Sequence, residues 1–495
     1  MKKTWKLLSV LCTALLLMSA LAACSGGSKS EGSGDSSTAG TDGSKASGEV
    51  PTLVWWTIGG QLPNNFDKAI AAMNEYTAEK IGVKIDLRVA NWADWDTKMN
   101  TIVNTGEAFD MMFTNSGKYN QQVSMGAFAD LTDLVQSETP DLYKFIPETV
   151  WDGAKIGGKI YSVPTYKDSS LTQYWVFNDE YVQKYNIDLD KAKTLQDLDK
   201  PFHDMKAGEG KSFYPVSLNQ GDGFPGLFNG YDDLTLGLSP IGVKIDDSSR
   251  KVVFTLSQPD IMDNLNQLHK WYQDGIINPD APTRGETEKA RPFFSAQAFP
   301  GAETSYQINE GVEKYDMVQN FGPLYTTSMI QGSLNAISAN SKYKNEALKY
   351  LELVNTDAKL RNMLAFGELG VDYQSVDGEK VIERTSDTWP LAAYTQGTFF
   401  NLAVTKGAPE DQWEQVRKLN EEATPSATLG FALDISSLTT EVANTKAVWE
   451  KYKAELITGA SDPAVIVPKV ESEMKAAGMD KIMQAAQEQI EAYFK

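Results

Sequence analysis

The strongest constraint on the fold is the run from Leu53 to Phe113, where the spacing of apolar residues switches repeatedly between two periods. LVWW, Leu53 to Trp56, reads as a strand, and Phe66, Ile70, Met73 and Thr77 then recur at helical spacing. Val83, Ile85, Leu87 and Val89 alternate with Lys84, Asp86 and Arg88, the period of two that marks a half-buried strand. Asp94 is placed to cap a helix reaching about Val103, with Met99, Ile102 and Val103 as its apolar positions, and Thr105-Gly106 stop it. FDMMF, Phe109 to Phe113, is a third strand. Strands alternating with helices at this spacing imply parallel pairing, hence an α/β layer. Ligands of open α/β sheets meet the carboxyl ends of the strands. Here those ends are Trp55-Trp56-Thr57 and Thr114-Asn115-Ser116.

The N-terminus belongs to a different kind of segment. Lys2, Lys3 and Lys6 precede a largely apolar run from Leu7 to Ala23 that ends in small residues. A basic head, an apolar middle and a small-residue exit read as an export signal over residues 1–23. LAAC, Leu21 to Cys24, resembles a bacterial lipobox. That resemblance implies a diacylglyceryl thioether on Cys24 and cleavage before it. Two or more acyl chains hold a protein at a bilayer far better than one. The chain has only two cysteines, and Cys12 leaves with the signal, so no intramolecular disulfide forms. Ser25 to Glu49 lacks any aromatic or large aliphatic residue and cannot build a core. Residues 24–49 are therefore expected to be a lipidated cysteine and a tether with a mean span of about 25–30 Å.

Beyond the α/β layer, LTQYWVFND, Leu171 to Asp179, reads as a strand entering a helix. Lys251 to Leu256 reads as an edge strand, and Asp260 to Asp274 as a helix with Ile261, Leu265, Leu268 and Tyr272 on one face. Ser338 to Asn355 holds another helix. The C-terminal stretch is heavily helical, its last segment running from Pro468 to Phe494 with Val470, Met474, Ile482 and Ile490 as the apolar repeat. A body of roughly 450 residues is expected to hold more than one domain.

Composition narrows the functional classes. The formal charge is −20, and loss of the three signal lysines takes it to −23. Such a surface repels phosphate backbones, which argues against a nucleic-acid partner. There is no GxxxxGK[ST] loop, no HExxH and no GxSxG. His203 and His269 are the only histidines and have no partner pattern, so no transition-metal site is expected. Asp246-Asp247 lacks EF-hand spacing and reads as a solvated turn. Glycoside hydrolysis needs only two carboxylates, and 66 acidic residues leave that alternative open.

Aromatic residues are the more informative set. Ten of the eleven tryptophans remain once Trp5 is lost. Trp55, Trp56, Trp92, Trp95, Trp151, Trp175 and Trp389 fall near strand ends or in loops, whereas Trp413 and Trp449 lie on helical faces and read as packing residues. Apolar ring faces can cover the C–H faces of sugars while nearby polar groups pair with hydroxyls. Tryptophan equally often fills cores.

Several longer segments resemble one family. GGKIYSVPTYKDSSLTQYWVFNDEYVQKY, Gly157 to Tyr185, is similar to the segment that carries the first crossing between lobes in extracellular solute-binding lipoproteins of bacterial ABC importers. IQGSLNAISANSKYKNEALKYLELV, Ile330 to Val354, resembles the return to the first lobe. FGELGVDYQSVDG, Phe366 to Gly378, and Ala427 to Pro463 with Ala476 to Phe494 resemble the large LipO-like members and their distinctive C-terminal region. The resemblance implies a two-lobe α/β fold of the periplasmic-binding-protein type, with a ligand cleft between the lobes and a large helical C-terminal part. It places residues 50–165 with about 315–370 in the first lobe and 166–314 with about 371–495 in the second. It implies a non-enzymatic carrier without a cofactor, a monomer, docking on a membrane permease at the extracellular face of a Gram-positive cell. An oligosaccharide is the expected solute, with a peptide or other solute, a glycoside hydrolase and an adhesion module as alternatives. The implied ligand-binding residues are Trp56, Asn115 and Ser116 from the first lobe, and Tyr166, Lys167, Asp168, Trp175, Asp222 and Phe224 from the crossing and second lobe. Trp389 is a late-loop candidate, and Phe293, Phe294 and Phe299 are possible wall residues.

Overall fold

The structure, a computed structural model, describes residues 50–495 apart from 379 and 387. The expected signal, Cys24 and the tether lie outside the described residues. β1 (Thr52–Gly59), the helix Phe66–Ile81, β2 (Lys84–Asn91), the helix Trp95–Thr105 and β3 (Met111–Thr114) follow the expected alternation. β1 pairs in parallel with both β2 and β3. The first helix turns Phe66, Ala69, Met73 and Thr77 inward and stops at Gly82, whose left-handed φ of 68° suits glycine. β1 runs three residues past Trp56, so that tryptophan does not end the strand.

After β4 (Ser162–Pro164) the chain crosses to a second sheet that begins with β5 (Leu171–Asn178). The small antiparallel sheet of β6 (Tyr231–Asp233), β7 (Ile241–Lys244) and β8 (Val252–Phe254) follows, with β8 at its edge as the sequence suggests. β9 (Phe293–Gln297) and β10 (Tyr315–Tyr325) flank β5 antiparallel. Residues 326–333 then cross back to β11 (Leu334–Ile337), which inserts antiparallel between β3 and β4. The hairpin β12 (Tyr373–Asp377) and β13 (Val381–Arg384) pairs with β14 (Val404–Thr405). The two-residue β15 (Thr424–Pro425) extends the second sheet. The main sheets thus have the orders β2-β1-β3-β11-β4 and β15-β10-β5-β9.

Two large apolar cores accompany the two sheets. One gathers Leu53, Trp55, Ile85, Met111 and Leu334; the other gathers Trp175, Phe177, Phe202, Trp271 and Phe293 together with the C-terminal helices. Trp389 and Leu391 pack in the first core, although the sequence division puts everything after about 370 with the second lobe. The reason is local. The helix Ala358–Phe366 leads into β12 and β13, and Phe366, Tyr373, Ile382, Phe399 and Leu402 form a satellite cluster that keeps this stretch together. The chain reaches the second core by Phe431. The last segment is also not one helix: Pro463–Ala476 and Met479–Tyr493 are separated at Gly478, whose φ is 108° and where a Cβ would meet the Glu441 side chain at 2.7 Å.

Candidate functional site

Burial sorts the tryptophans at once. Trp55, Trp56, Trp95, Trp151, Trp175 and Trp389 are buried, and Trp92, 53 % exposed, is the one of the seven that faces solvent. Position near a strand end does not say which face of the sheet a ring occupies. Trp55 sends its Nε1 to Asn335 Oδ1 at 3.1 Å in the first core. Trp56, on the opposite face of β1, lies under Lys98 and Arg88, whose cationic ends stand 4.7 and 5.6 Å from its ring centroid. The end of β1 is itself covered. Gly60 N donates to Pro390 O at 2.9 Å, and a Cβ on Gly59 would meet that same oxygen at 2.7 Å. Trp389, expected in a late loop, packs on Phe66 and donates to Leu364 O at 2.9 Å. Trp175 is 2 % exposed in the second core against Phe293.

Trp92 directly follows the last residue of β2, and its ring lies 6.3 Å from that of Tyr394 at an interplanar angle of 31°. Lys167 Nζ stands 5.9 Å from the Tyr394 ring and pairs with Asp168 at 2.7 Å, both side chains being largely buried. These two residues belong to the first crossing. Burial pushes the Tyr306 phenol up to about 12, and the Asp168 carboxylate adds to that shift. Burial raises the Tyr394 phenol as well, again with Asp168 contributing. Tyr306 sits on the helix Ala302–Glu310 and packs edge-on against Phe294 at 5.2 Å. Three elements therefore meet: the end of β2, the first crossing and the segment around Tyr394, with the Tyr306 phenol in electrostatic reach of Asp168.

The crossings are tied together by buried side chains. Asn420, on the helix Gln412–Glu422, accepts from Ser169 N and Ser170 N at 3.1 Å each and donates to Lys167 O at 2.5 Å. Tyr166 packs 4.5 Å from Phe400, with burial raising its phenol, and Arg417 covers Phe400 at 4.2 Å. Phe299 meets Phe399 and Trp413, whereas Phe293 is fully buried and Phe294 lies under Arg291.

The remaining sequence candidates divide. Asn115 and Ser116 form the turn after β3, where Asn115 Oδ1 accepts from Gly117 N at 3.1 Å. Asn120, just beyond, donates to Leu433 O at 3.2 Å, so this end of the sheet touches the region of the second core. Asp222 and Phe224 line a separate cavity of 60 Å³ beside β9 with Asn219 and Arg291. A larger cavity of 220 Å³ lies between the helices Phe66–Ile81 and Ala358–Phe366 and shares no lining residue with the converging cluster. Sequence reasoning missed Tyr394, in the apolar stretch Trp389 to Phe400, and Tyr306, in a polar one; neither carries a motif. Trp92 was one of seven tryptophans near strand ends or in loops and was not among the implied ligand-binding residues.

The converging cluster offers aromatic faces beside one fixed cation and one fixed carboxylate. That combination suits a ligand with apolar C–H faces and hydroxyls that both donate and accept. His203 contacts Asp199 O and Asp274, and His269 contacts Gly459 O, away from these residues. Among the described residues no group of three His, Cys, Asp or Glu could hold a metal ion, and no helix is long and apolar enough to cross a membrane.

Comparison with known proteins follows the same line. A carbohydrate ABC transporter substrate-binding protein of Streptococcus pneumoniae serotype 4 is 26 % identical over 464 residues, covering 91 % of this chain and 92 % of its own length. The crystal structure of the N-glycan transport solute binding protein NgtS from Streptococcus pneumoniae superposes with a TM-score of 0.81 at 24 % identity, covering 90 % of this chain and 99 % of that one. The same protein in complex with Man5GlcNAc gives a TM-score of 0.68 at 24 % identity, covering 90 % of this chain and 98 % of that one. A domain of unknown function (DUF3502) matches residues 427–495. The bacterial extracellular solute-binding protein family matches residues 59–359, and the chain belongs to that family.

Proposed function

We propose that the protein captures an oligosaccharide between its two lobes and delivers it to the permease of an ABC importer, while Cys24 anchors it to the outer face of a Gram-positive cell membrane. The observation that carries the reading is the solvent-facing Trp92 beside Tyr394, next to the Lys167–Asp168 pair at the first crossing. Rings supply the apolar platform for a sugar, and the ion pair supplies a donor and an acceptor for its hydroxyls. The names of the relatives support a carbohydrate: one is a carbohydrate transporter component and another is described with Man5GlcNAc. Closure of this chain around its solute is a hinge motion at the crossings, and the protein acts as a monomer.

Isothermal titration of the mature chain with Man1GlcNAc, Man5GlcNAc and unrelated oligosaccharides tests the reading. Saturable heat with at least one of them, and no shortened products by thin-layer chromatography, is the expected result. Absence of heat with every oligosaccharide would remove the carbohydrate assignment, and shortened products would replace the carrier with a hydrolase.

The anchor has its own test. Cys24→Ala is expected to abolish acyl labelling and to move the protein from the membrane fraction to the medium or to the unprocessed precursor. Unchanged labelling and retention in Cys24→Ala would rule out the proposed lipidation.

A further inference from the structure

Tyr394 occupies a segment whose main chain is held in an unusual way. Six consecutive carbonyls, from Ala393 to Thr398, each accept a hydrogen bond from a side chain of the first-lobe side. Arg361 donates to Ala393 O, to Gly397 O at 3.3 Å and to Thr398 O at 2.7 Å. Ser333 Oγ donates to Tyr394 O at 2.7 Å. Asn335 Nδ2 donates to Thr395 O at 3.0 Å and to Gln396 O at 3.2 Å. Asn335 is itself oriented by Trp55, and Thr398 N donates to Asn355 Oδ1 at 3.0 Å.

The donors are placed at a cost. Arg361 is fully buried, and among the described residues no carboxylate pairs with it. Burial pulls its guanidinium down to about 9, which still leaves it charged at neutral pH. A buried, unpaired charge is expensive unless its donors are satisfied. Three carbonyls on one short segment take up Nε and Nη2, while Nη1 is buried without a partner; a planar fork reaches all three carbonyls where a lysine has a single nitrogen. A fold that needed merely to fill this space would use an apolar side chain.

We propose that Ser333, Asn335 and Arg361 are positioning residues for solute binding: they fix segment 393–398 so that the Tyr394 ring stands ready beside Trp92 and Lys167. The inference rests on the reading of that cluster as the solute site. Pre-ordering a binding loop removes its ordering entropy from the binding step, so loosening it lowers affinity without removing a contact.

Two arms test it. Ser333→Ala deletes one donor with almost no change in volume and is the variant of choice, because Arg361→Lys risks the fold. In hydrogen exchange without any sugar, amides of residues 393–400 are expected to exchange about tenfold faster in Ser333→Ala than in the native chain, with β1 and β5 unchanged. Unchanged exchange in that segment overturns the proposal whatever the solute. The second arm titrates Man5GlcNAc into the native chain, Ser333→Ala, Tyr394→Ala and the double variant. Ser333→Ala is expected to weaken binding about three- to tenfold in the native background and to have no further effect once Tyr394 is alanine. An equal loss in both backgrounds overturns the positioning of Tyr394. If Tyr394→Ala itself binds as tightly as the native chain, the reading of the solute site fails and the positioning proposal falls with it; faster exchange alone then reports only a structural clamp.

Discussion

Trp92→Ala and Tyr394→Ala are each expected to weaken oligosaccharide binding by about five- to 150-fold while leaving the melting temperature nearly unchanged. Trp92 is 53 % exposed, and Tyr394 is half-buried at the edge of the small Phe399 cluster, so neither ring lies inside one of the two large cores. An aromatic hot spot is worth about 1–3 kcal/mol in binding, which converts to that range of affinity. Because the rings lie 6.3 Å apart, the double variant should lose less than the sum of the single losses. Titration calorimetry checks both points. Equal affinity in native and variant chains would take both rings out of the site.

Trp175→Ala is expected to behave in the opposite way. The family resemblance places Trp175 among the ligand-binding residues. Instead it sits on β5, between β9 and β10, with Ser295 and Val318 as its neighbours in register. Its ring is 2 % exposed and lies against Phe293. Truncating a buried tryptophan leaves a cavity and costs about 3–5 kcal/mol. The expected result is a marked fall in the denaturation midpoint, with solute affinity retained at temperatures where the variant stays folded. A variant of native stability with lost affinity would return Trp175 to the binding site.

These two results separate what the sequence makes legible from what it does not. The alternation from Val83 to Val89 specifies β2 and its register beside β1, because one face of a strand is buried and a slip by one residue would expose it. Trp92, which the structure places directly after β2, was not singled out from the other tryptophans by that pattern. A large apolar ring near a strand end serves a core as well as a cleft, and six of the seven went to cores. Lys167 and Asp168 were reachable through the resemblance of the first crossing, and the structure brings Lys167 to Tyr394 with Asp168 paired to it. Tyr394 was out of reach for a different reason. Its position is set by Ser333, Asn335 and Arg361, residues of a crossing, a strand and a helix that meet only in three dimensions. The placement of Trp389 in the first core depends likewise on the hairpin of β12 and β13, which keeps the chain there before it reaches the second core by Phe431.

The most direct test of interlobe capture is a crystal structure of the mature chain grown with the oligosaccharide that saturates it. Density for a sugar ring against Trp92 and Tyr394, with hydroxyls within hydrogen-bond reach of Lys167 or Asp168, is the expected result. Density only in the cavity beside Asp222 and Phe224, or on a surface remote from both crossings, would contradict it.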